Sequence, residues 1–96
     1  MIGVFAKASV VTEAIEEFEA SAHALVQATR ANDAGLISYD FGALVEEGAE
    51  GEYAFLERWE SQEALEAHMQ QAHFKDAVAQ WQDYLPGELE GRTYQF

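Results

Sequence analysis

The part of this sequence richest in chemistry is FLERWESQEALEAHMQQAHF, residues 55–74. Glu57 and Trp59 are two apart, so on a β-strand they share a face with Tyr53 and Phe55. An ionised carboxylate on so aromatic a face is strongly disfavoured unless it is paired; otherwise it keeps its proton through a raised pKa. The donors at hand are His68, His73, the Trp59 indole N–H and a helix N-terminus. His68 falls on an apolar helical stripe with Leu65 and Ala72, where an imidazole is either a satisfied core residue or the base of a pocket. His73 immediately precedes Phe74. Imidazole is the side chain whose protonation is most easily tuned near neutral pH, so two of them on one pocket wall would be notable. A spacing of five sets the two histidines about 140° apart on a regular helix, and they converge only if the helix breaks between them. The same residues could ligate a metal, but His-x4-His is not one of the common helical ligand pairs, and no metal is expected.

The elements that must position these residues follow from periodicity. Residues 2–11 are apolar and β-branched and read as a strand. Thr12 is placed to cap a helix, with Ile15, Phe18, Ala22, Leu25, Val26 and Thr29 at helical spacing and an end near Arg30–Ala31, stopped by Asn32, Asp33 and Gly35. Residues 36–45 form a second strand, with Ile37, Tyr39, Phe41, Ala43 and Val45 on one face and Leu36 and Leu44 on the other. A polar loop at 46–51 leads into a third strand at 52–60. Ser61 caps a second helix that runs, with a break around His73, to Leu85 before Pro86–Gly87, and residues 88–96 close the order as a strand. Strand-helix-strand twice over, β-α-β-β-α-β, is the ferredoxin-like α+β arrangement: one domain over 1–96, with an antiparallel sheet and two helices on one face.

Those helices cover one face only, yet Val4 and Phe5 are both apolar though they point oppositely, and Ala54 and Leu56 lie on the alternate face of the third strand. A second sheet covering that face accounts for this, and a homodimer through the sheet faces is its simplest source. A chain of 96 residues buries only about 60–65% of its unfolded surface alone, which favours pairing.

Composition excludes several function classes. Five Lys and Arg stand against eighteen Asp and Glu, a net charge of -13, which repels nucleic-acid phosphates and anionic membrane surfaces. There is no cysteine, hence no disulfide, thiolate metal site or Cys–His pair. No Ser-His-Asp system or Gly-rich phosphate loop is evident; Gly48 and Gly51 sit in an acidic loop. No apolar run approaches the ~20 residues that span a bilayer, and Met1–Val11 lacks a signal peptide's charged start, so a cytoplasmic protein is expected.

Residues 55–74 resemble the antibiotic-biosynthesis-monooxygenase family in Glu57, Trp59, His68, His73 and Phe74. The segment TRANDAGLISYDF, residues 29–41, resembles the same family in Arg30, Gly35 and Tyr39, with Asp33-Ala34-Gly35 where the family often has Glu-x-Gly. The resemblance implies a ferredoxin-like subunit dimerised into an α+β barrel, and oxygenation of quinols or polycyclic phenols with neither metal nor organic cofactor. It implies His68 or His73 as base, Glu57 as orienter, and Trp59, Tyr39, Phe74 and Phe55 as walls for a small aromatic substrate that meets molecular oxygen. Arg30 or Arg58 would steady the substrate anion. Haem-degrading relatives of this fold carry an Asn on the first strand and a His in the second helix; here no such Asn is present and Val78 occupies the matching position, so haem degradation is not expected. A ligand-binding or stress-related dimer without turnover, and an isomerase or lyase, are the alternatives on the same fold.

Overall fold

A computed structural model describes all residues, 1–96. The chain runs β1 (Ile2–Ser9), a 3-10 turn at Thr12–Ala14, α1 (Ile15–Asn32), β2 (Leu36–Ala43), β3 (Glu52–Trp59), α2 (Gln62–Gln70), α3 (Ala72–Trp81) and β4 (Glu90–Gln95). The strands form one sheet in the order β2-β3-β1-β4, antiparallel at every pairing. This is the expected ferredoxin-like order, with the second helix divided into α2 and α3.

The core lies between the sheet and the helices. On β1 the small residues Ala6 and Ala8 face it, while Phe18, Ala22, Leu25 and Val26 descend from α1 and Leu65, Ala77 and Trp81 from α2 and α3. The Thr29 hydroxyl, fully buried, donates to the Leu25 carbonyl at 2.7 Å, which leaves no polar atom of that side chain stranded. Tyr39 stands opposite Glu57 and Phe41 opposite Phe55 across the β2–β3 ladder, so their side chains share the helix-covered face.

Local chemistry explains most boundaries and the departures from them. Ser61 caps α2 as expected, its Oγ accepting the Ala64 N–H at 3.1 Å. Thr12 makes no cap; it opens a 3-10 turn, and α1 starts at Ile15. A bulge between Leu36 and Ser38 turns Leu36 onto the core side opposite Trp59 and leaves Ile37 about half exposed, the reverse of simple alternation. Val45 lies in the loop beyond β2, almost fully exposed. The last helix stops at Trp81, not Leu85: the Asp83 and Tyr84 N–H groups bond three residues back, to the Gln80 and Trp81 carbonyls, and tighten the chain into turns.

The opposite face of the sheet carries no helix. Phe5, Leu56, Tyr94 and Phe96 are exposed there, and β4 is exposed along its whole length. Arg58 also belongs to this side, its guanidinium 4.4 Å from the centre of the Phe96 ring. No helix is long and apolar enough to cross a membrane.

Candidate active site

At the α2–α3 junction, Gln71 adopts an extended conformation (φ -69°, ψ 144°) and breaks the helix between the two histidines. The break undoes the angular separation that a continuous helix would impose. His68, at the end of α2, and His73, in the first turn of α3, both turn toward one carboxylate, Asp33, at the C-terminus of α1. His68 Nδ1 lies 2.5 Å from Asp33 Oδ2, and His73 Nε2 lies 2.8 Å from Asp33 Oδ1. The His68 and Asp33 side chains are 1% and 2% exposed, while His73 is 20% exposed and forms the solvent side of the cluster. His68 Nε2 is buried with no hydrogen-bond partner.

Around His68 stand Trp59, Tyr39 and Phe74, with ring centres 4.7, 5.3 and 4.9 Å away. Glu57 lies on the same floor and accepts the Trp59 indole N–H at 2.9 Å, one of the partners its position required. Burial raises the Glu57 pKa to about 7, against the indole and the Tyr39 hydroxyl, which both favour its charged form. Burial also pushes the Tyr39 hydroxyl well above its ordinary value, and the charges of Glu57 and Asp33 push in the same direction. The His68 pKa is lowered by burial, opposed in part by the hydrogen bond to Asp33. Near neutral pH the floor therefore holds a neutral imidazole and a carboxyl near its titration midpoint.

The other expected residues are placed differently. Phe55 is buried and packs on Tyr39, Phe41 and Trp81, one layer away from the histidines. Arg30 is half exposed at the rim, where its guanidinium donates to the Tyr39 carbonyl at 2.6 Å and pairs with Asp40 at 3.0 Å. Arg58 projects from the opposite face of the sheet, away from the cluster. The aromatic floor is packed: Trp59 and His68 are buried and line none of the larger recesses. The nearest of these, about 370 Å³, opens beside Arg30, Asp33 and Tyr39 at the β2 edge. In place of a chamber beside Trp59 there are packed side chains, with a surface recess nearby at the β2 edge.

The sequence marks Asp33 as part of a helix stop and of the Asp33-Ala34-Gly35 segment, with no role in the site. The signal for more was electrostatic: a carboxylate at a helix C-terminus meets the negative end of the dipole and calls for a cationic or hydrogen-bonding partner. Asp33, His68 and His73 do offer ligand-type atoms within 4.8 Å of one another. However, nitrogen and oxygen ligands held about 2.0–2.2 Å from one first-row ion at tetrahedral angles lie about 3.4 Å apart. The Asp33–His68 pair stands at hydrogen-bonding distance, so an ion would have to spread it.

The antibiotic biosynthesis monooxygenase family model matches residues 1–80. The chain belongs to that family. A relative in Bacillus subtilis (strain 168), "Putative monooxygenase YcnE", is 36% identical over 90 residues, covering 94% of this chain and 92% of that protein. Among solved structures, a conserved protein from Methanosarcina mazei Go1 superposes with a TM-score of 0.89 at 28% identity, covering 98% of this chain and 90% of the other. A "putative antibiotic biosynthesis monooxygenase" from Caulobacter crescentus CB15 superposes with a TM-score of 0.90, also at 28% identity, covering 99% and 88%. Family membership supports a monooxygenase-type function for the chain.

Proposed function

We propose that this chain is a cofactor-independent monooxygenase that oxidises a quinol or polyphenol with molecular oxygen, working as a homodimer. The observation that carries the reading is His68: one ring nitrogen is held by Asp33, and the other is buried, unpartnered and ringed by Trp59, Tyr39 and Phe74. An imidazole held this way is a base with its lone pair free. Its lowered pKa keeps it neutral and able to accept a proton.

The reaction balances without a redox cofactor. Oxygen in its triplet state reacts slowly with closed-shell molecules, but a phenolate can give it one electron. His68 Nε2 takes the phenolic proton, and the anion passes one electron to oxygen. The radical pair joins as a ring peroxide anion. The ring C–H proton passes to its outer oxygen as the O–O bond breaks, which leaves a carbonyl, and the departing hydroxide takes the proton back from His68 to become water. Phenol plus oxygen gives quinone plus water. The aromatic residues hold the ring flat and exclude bulk solvent, and Glu57 orients the floor through Trp59. Because the floor is packed, side chains around His68 must yield for a ring to enter from the recess beside Arg30 and Tyr39. Dimerisation is supported by the exposed apolar face of the sheet.

The test is oxygen uptake against a panel of quinols and polyphenols, with protein dialysed against a chelator. The expected result is one oxygen consumed per substrate oxidised, unchanged by the chelator and lowered about 100-fold or more in His68→Ala. Uptake that is absent with every substrate, or equal in His68→Ala, overturns the proposal. The packed floor favours a second reading, a binding protein of the same fold without turnover; ligand-induced fluorescence change at Trp59 with no oxygen consumed would select it.

A further inference from the structure

His68 accounts for where a substrate proton is taken up, but an imidazolium sealed among Trp59, Tyr39 and Phe74 has no contact with water. We infer that Asp33 and His73 form a proton-holding relay behind His68, with Asp33 fixing the His68 tautomer and His73 carrying the surplus proton at the solvent side. This rests on the reading of His68 as base.

The geometry has three parts. Asp33 presents one oxygen to each histidine, Oδ2 to His68 at 2.5 Å and Oδ1 to His73 at 2.8 Å, so its two oxygens join the rings. His68 meets Asp33 through Nδ1, so the N–H lies there and the lone pair on Nε2 faces the aromatic floor. The His73–Asp33 contact is close but poorly aligned, and both of its atoms are buried without a hydrogen bond. A contact that is short in distance and unformed in angle is placed to close when a proton arrives. The proton balance is simple. As Nε2 gains the substrate proton, the Nδ1 proton moves to Asp33 Oδ2, the now neutral carboxyl turns its O–H toward His73, and His73 Nε2 takes that proton and restores the carboxylate. Every step reverses when hydroxide leaves the substrate, so the relay stores a proton and consumes none.

The groups that face this relay are Tyr39 on β2 and Glu57 on β3, while the Arg30 guanidinium is turned aside to the Tyr39 carbonyl and Asp40. Neither Asp33 nor His73 touches the aromatic floor as His68 does, so both act as positioning residues.

Nitrogen-15 NMR of the imidazole rings tests the relay without any assay. The expected result is His68 with its proton on Nδ1, and ring signals of His68 and His73 that move together with pH in the wild type and separately in Asp33→Asn. His68 protonated on Nε2 alone, or the two rings responding independently in the wild type, overturns the inference. With a substrate that supports oxygen uptake, His73→Ala is expected to lower kcat about tenfold or more with little change in KM, and imidazole in the buffer to restore it. A loss that imidazole leaves untouched assigns His73 to structure and overturns its relay role. If no substrate supports uptake, the base reading fails by that assay while the NMR result still decides the relay.

Discussion

At the scale of single residues, the site is a contest between burial and pairing. Glu57 is held where water does not stabilise its charge, and one indole N–H together with a tyrosine hydroxyl compensates only in part. The sign of the consequence is fixed. A carboxyl whose folded pKa is raised from 4.5 to about 7 favours the folded state fully below about pH 4.5, and that contribution is lost as pH rises through about 7. The gap of roughly 2.5 units corresponds to about 3 kcal/mol. Urea unfolding of the wild type and of Glu57→Gln at pH 5 and pH 8 should therefore show the variant gaining on the wild type at the higher pH by up to that order. His68 acts with the opposite sign: its lowered pKa gives stability above about pH 6.5 that is lost as pH falls through the folded value. Trp59→Phe keeps a ring in place but leaves the Glu57 carboxyl without its indole donor. It should cost about 1–3 kcal/mol in the same unfolding measurement.

At the scale of elements, the site is made by places where regular structure stops. The break at Gln71 brings His68 and His73 to one carboxylate, and the end of α1 supplies that carboxylate. Gly35 follows it with φ +81°, a conformation that suits glycine, and a Cβ there would meet the Ala64 Cβ at 2.6 Å. Gly35 also accepts the Glu60 N–H at 2.8 Å, so it pins the α1–β2 turn to the start of α2. Gly35→Ala is expected to lower stability by about 1–3 kcal/mol through strain and the pushed-away helix, visible as a fall in Tm. Ser61→Ala removes the cap of α2 and should cost about 1 kcal/mol, a milder change that leaves the histidine cluster in place.

At the scale of the whole molecule, the sheet has one face sealed by helices and one face left apolar. Phe5, Leu56, Tyr94 and Phe96 lie on the open side, with Phe96 64% exposed at the end of a strand that contributes nothing to the core. A second copy meeting this face follows as the proposed dimer. Sedimentation should give twice the 10.7 kDa chain mass at micromolar concentration, and Leu56→Asp should shift it toward the monomer. Because each chain carries a net charge of -13, association works against like-charge repulsion, so added salt should tighten the dimer until screening is complete.

The sequence by itself determined the element order, the aromatic floor and the need of Glu57 for a partner, because these follow from period-two and helical spacing and from the cost of burying charge. Helix capping at Ser61 was legible for the same reason: it is chemistry between near neighbours in the chain. The tertiary structure alone decided that Asp33, thirty-five residues from His68, joins the two histidines, since only the packing of the end of α1 against the α2–α3 elbow brings them together. It also decided that Leu36, not Ile37, faces the core, because a bulge shifts the register by one residue. Spacing along a chain is a local quantity, whereas the convergence of a carboxylate with two imidazoles depends on how separate elements pack.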